Sequence, residues 1–68
     1  MKIVEMLGDS AVLACSKEDL LIIHSALNEI CNGIDFFEFE TRIGAGRDVV
    51  SNLLLEVGLI LDGLEQPG

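Results

Sequence analysis

Cys15, Cys31 and His24 are the side chains of this chain best suited to nucleophilic or metal chemistry. A Cys–His couple needs the sulfur within hydrogen-bond reach of the imidazole. His24 and Cys31 are seven residues apart, which on a helix puts them on one face. It also separates them by about 10 Å along the axis, too far for a direct bond. Cys15 could approach His24 only through the tertiary fold. A metal site is poorly supplied, because the chain has one His and no CxxC or HxxxH spacing. The simplest reading makes both cysteines small buried hydrophobes and His24 a structural residue of a helix face.

The remaining candidates are charged or aromatic. Glu29, Glu38 and Glu40 could serve an enzyme as acids, but carboxylates on a short chain are usually there for solvation. The FFEF run, 36 to 39, could stack bases, yet its acidic neighbours oppose nucleic acid. Gly33, Gly44 and Gly46 punctuate helix ends; they do not follow a strand and form no phosphate loop. We therefore expect no catalytic, cofactor-binding or metal-binding residues.

Composition sharpens this. Sixty-eight residues make one domain, and half of them are hydrophobic. So short a chain cannot hide all its apolar side chains in one core. Small scaffolds are completed by disulfides, a metal or a partner subunit. The start, MKIVEMLGD, carries Glu5 and Asp9 where a signal peptide is apolar, so a cytoplasmic protein with both thiols reduced is expected. That leaves oligomerisation. The net charge of −8 disfavours nucleic acid and anionic membranes, and no run of apolar residues is long enough to span a bilayer. Acidity keeps a greasy chain soluble; it would also steer a basic protein partner.

The elements that position these residues read as α+β, in the order ββααα. Residues 2 to 15 form an N-terminal hairpin around Gly8-Asp9, with Gly8 at the first central position of a II′ turn. By simple alternation Ile3, Glu5 and Leu7 share one face and Val4 and Met6 the other. Both faces are apolar, which points to both being covered. A helix over 17–32 starts at Ser16, with Asp19 completing a capping box. Its core stripe is Leu20, Ile23, Leu27, Ile30 and Cys31, and Gly33 ends it as a left-handed cap onto which Ile34 folds back. Residues 36–43 carry both a strand-like and a helix-like period. The Asp35/Glu38 pair as a capping box and Gly44 as a stop favour a short helix. The last helix, 47–64, starts at Gly46 and turns Val50, Leu53, Leu54, Val57, Leu61 and Leu64 to the core; residues 65–68 read as a frayed tail. Leu55 and Leu59 interrupt its polar side, as Ile22 does on the first helix. These three are the candidate interface.

The segment ALNEICNG, then FETRIG and an acidic-start helix, resembles a group of short bacterial proteins. These share an ALNE-x-x-NG stretch, a TR-[IL]-G turn and a terminal helix. The resemblance covers residues 17 to 57, with Gly46 where a Ser cap would be expected. It implies a bacterial origin and a similar fold, and attaches no activity.

Three classes of function remain. The first is a non-enzymatic interaction module that self-associates, as a homodimer or higher, through apolar helix faces. Its sharper form is an acidic immunity- or antitoxin-like protein that masks a basic partner. The second is a helix-turn-helix regulator built on residues 36–62, whose recognition helix would start with Arg47 and then Asp48, a poor set for phosphates. The third is a small enzyme. Salt-dependent retention on a basic resin and on DNA separates the two partner classes.

Overall fold

The computed structural model describes residues 1–33 and 35–64. An antiparallel two-stranded hairpin is followed by three helices, an α+β fold. The strands are β1, Lys2–Met6, and β2, Ala11–Ala14. Gly8 takes φ 77° at the turn, a region that glycine enters without a Cβ penalty. Leu7 N–H donates to the Ser10 carbonyl at 2.8 Å to close it.

The register corrects the simple alternation of strand faces. Ile3 pairs with Leu13, but Glu5 pairs with Val12, so Val4 is the extra residue of a bulge. One face then carries Ile3, Met6, Ala11 and Leu13. The other carries Lys2, Glu5, Val12 and Ala14. Every residue of both strands is exposed, so neither face is covered within the chain.

Helix α1, Lys17–Asn28, begins as its residues dictate. Ser16 Oγ accepts from Asp19 N–H at 3.0 Å, and Asp19 Oδ2 accepts from Ser16 N–H at 3.2 Å. The Met1 ammonium also donates to Asp19 Oδ2, at 2.6 Å, and ties the hairpin to the helix start. This bond, then Asp19's charge, raises the ammonium's pKa; the same bond and that from Ser16 lower the carboxyl's. Ser16→Ala should cost about 1 kcal/mol, the usual value of such a cap. Urea titration followed by far-UV circular dichroism measures it, and an unchanged midpoint would show that the cap adds nothing.

At its far end α1 widens into a π-helical turn, Glu29–Gly33. The left-handed cap expected at Gly33 is not formed: that residue closes the π turn, and its φ is outside the positive region. Ile34 lies outside the described residues. Helix α2 is Phe39–Ile43, three residues shorter at its start than the pattern suggests. The Asp35/Glu38 capping box is absent. Glu38 is itself the cap, in a left-handed conformation of φ 57° and ψ 49°, with no side-chain bond. The helix starts later because Glu38 leaves the right-handed helical region; Phe36, ahead of it, packs edge to face with Phe39 at 5.7 Å. Gly44, at φ 91°, stops α2 as expected, and its N–H donates to the Glu40 carbonyl.

Helix α3, Arg47–Gly63, runs antiparallel to α1. Cys31 lies beside Arg47 and Ser51 at one end of the pair, and His24 beside Gly58 further along. Among the described residues the buried core is Leu20, Cys31, Phe39, Val50 and Val57. Leu27, Ile30, Phe36, Ala45 and Leu54 pack around its Cys31–Phe39–Val50 centre. Leu53 and Leu64, expected inside, are exposed. They sit at the margin of a stripe wider than α1 alone can cover. The tail, 65–68, lies outside the described residues.

Candidate functional site: an uncovered apolar surface

The residues with chemical potential are dispersed. Cys31 is buried, its thiol accepting from Ser51 Oγ at 3.7 Å; Cys15 is half-buried, and both thiols are free. His24 packs half-buried against α3, where a Cβ at position 58 would lie 3.5 Å from its Nε2. Among the described residues no three of His, Cys, Asp and Glu converge as metal ligands. No helix among them is long and apolar enough to cross a membrane. In the native state Cys15 should react with a thiol reagent well before Cys31, because it is the less buried of the two. Unfolded protein should titrate two thiols. Equal native rates would mean that the Cys31 end of the core opens freely.

The two arginines of the α2–α3 region are both turned onto aromatic rings. Arg47 donates from Nη1 to the Cys31 carbonyl at 2.8 Å, and its guanidinium lies 4.5 Å from the Phe39 ring centre. Arg42 lies over Phe36 at 5.4 Å. Sequence reasoning placed Arg47 at the start of a helix and missed its role. It satisfies a carbonyl in the π turn that ends α1, where a cation also meets the negative end of the dipole. Only the tertiary approach of α3 to the π turn makes that possible.

The candidate interface residues are all exposed: Ile22 by 70%, Leu55 by 63% and Leu59 by 62%. They do not form one patch. At 3.6 residues per turn, Ile22 lies on the side of α1 opposite Leu20 and Leu27. Leu55 and Leu59 lie on the side of α3 turned away from Val50 and Val57. The three therefore mark the two outer edges of the helix pair.

A larger apolar surface lies elsewhere. Val49, Leu53, Ile60 and Leu64 are exposed and share one side of α3, adjoining the buried row of Val50 and Val57. The sequence pattern hid this stripe, because it merges with the core stripe and reads as burial. The bulged hairpin adds a second patch of Ile3, Met6 and Leu13, also exposed. Comparison with protein-family models, with curated proteins and with solved structures finds no match for the chain.

Proposed function

We propose that this chain is a cytoplasmic, non-enzymatic protein-interaction module that self-associates through its apolar helix faces. The supporting observation is its surface. The chain exposes 5144 Å², whereas a monomeric protein of 7.3 kDa exposes about 4,200 Å². The excess, about 1,000 Å², is close to the roughly 800 Å² that each partner contributes to a stable protein–protein interface. The shape agrees. The radius of gyration is 13.7 Å, against about 11 Å for a well-packed domain of this length, and the shortest dimension is 15 Å.

Exposed apolar side chains are available for such a contact. Val49, Leu53, Ile60 and Leu64 line one side of α3, and Leu55 and Leu59 add to the area open to a second copy. Fully burying an exposed Val, Leu or Ile is worth roughly 1.5–3 kcal/mol, and these half-covered side chains would gain about half of that each. That is a large fraction of the few kcal/mol a domain this small commands. A two-fold homodimer is the commonest closed solution. Light scattering at tens of micromolar should give the mass of a dimer or a larger closed assembly, and a monomer mass would defeat the reading.

A further inference from the structure

The hairpin is the least explained part of the molecule. Two strands alone are marginal in water, and this pair lies on nothing of its own. Yet its bulge sorts the residues. In a regular strand Ile3 and Met6 would fall on opposite faces; with the bulge at Val4 they join Ala11 and Leu13 on one. An apolar hairpin face and an apolar helix stripe are thus both left open in one chain, the hairpin held to the start of α1 by the Met1–Asp19 ion pair.

We propose that the two patches cover each other between copies. In a two-fold dimer, the Ile3, Met6 and Leu13 face of each hairpin lies on the Val49, Leu53, Ile60 and Leu64 stripe of the other chain's α3. This rests on the self-association reading above. Stripe on stripe would leave both hairpins in water, and hairpin on hairpin would leave both stripes. The reciprocal contact covers all four patches at once and gives each helix pair the second layer that a domain needs. The dimensions fit. The stripe, from Val49 to Leu64, spans fifteen helical rises, about 22 Å, and the five-residue strand about 16 Å at strand rise. The excess area of about 1,000 Å² per chain also matches one such two-part contact. The occupant is a second copy and not a foreign chain, because the complementary patch is already present in this sequence.

Charge-swap complementation tests the arrangement. Met6→Lys places one cation on the hairpin face; Leu53→Glu places one anion on the stripe. Each variant alone puts an unpaired charge into both copies of the contact. Each should associate at least roughly tenfold more weakly than the unmodified chain and scatter as a monomer. Mixed one to one, they should regain the dimer mass. One contact in the mixed dimer is then unmodified and the other pairs Lys with Glu. Both positions are exposed in the single chain, so helix content by circular dichroism should not change. Ile3→Lys with Ile60→Glu repeats the test at independent sites if a first variant fails to fold. A variant that remains dimeric alone, or a mixture that remains monomeric, overturns the hairpin-on-stripe contact and leaves self-association standing. A monomeric unmodified chain removes both.

Discussion

Phe39→Ala should come close to unfolding the protein. Phe39 is 8% exposed and sits between Cys31 and Val50, with Phe36 edge-on to it and Arg47 over its face. Truncating a buried Phe costs about 3–5 kcal/mol, the sum of lost transfer energy and the cavity left behind. For a chain of this length total stability is on the order of 3–10 kcal/mol. Among the described residues only four others are as buried, so little remains to collapse into the gap. Urea titration by circular dichroism should show a large drop in midpoint or no folded baseline. Phe37→Ala is the matched control. Its ring is 75% exposed, and its removal should move the midpoint little. Equal effects at the two positions would show that the aromatic run does not anchor the core as described.

Arg47→Met should cost about 2 kcal/mol, more than a surface arginine ordinarily would. Two interactions are lost together. The charge-assisted bond to the Cys31 carbonyl is worth about 1.5–3 kcal/mol. The guanidinium over Phe39 adds roughly 0.5–1 kcal/mol. Arg47 is an exposed residue overall, so the lower part of the combined range is expected. Arg47→Lys should recover only part of the loss. An ammonium can reach the carbonyl but cannot stack as a planar fork while doing so. Arg42→Met, which removes only the longer contact to Phe36, should cost under about 1 kcal/mol. A midpoint unchanged by Arg47→Met would mean that the π turn's carbonyl finds water just as readily.

These two residues meet at the joint between the first helix and the last. The joint explains why residues 27 to 46 hold Cys31, all three phenylalanines and three of the glycines. Cys31 and Phe39 fill the space between α1 and α3, Gly44 turns the chain, and Arg47 closes the exposed end of the first helix. The stretch assembles a core.

What the sequence determined by itself were features carried by neighbours in the chain. The Gly8 turn, the Ser16–Asp19 cap, the Gly44 stop and the start of α3 at Gly46 all depend on a few adjacent dihedrals or one local hydrogen bond. The α1 stripe was legible too, because its one apolar face is narrow and packs on one neighbour. Tertiary structure decided the rest. Whether Leu53 and Leu64 are inside depends on how much of a wide stripe α1 can reach, which periodicity does not encode. Glu38's left-handed turn, beside the Phe36–Phe39 pair, has no counterpart in the capping pattern. The bulge at Val4 redistributes strand faces that a period of two would separate. Arg47's partners lie across the helix pair, at a carbonyl sixteen residues earlier and a ring eight residues earlier. For Leu53, Leu64 and Arg47 the deciding contact is between distant segments, and local pattern carries no term for it.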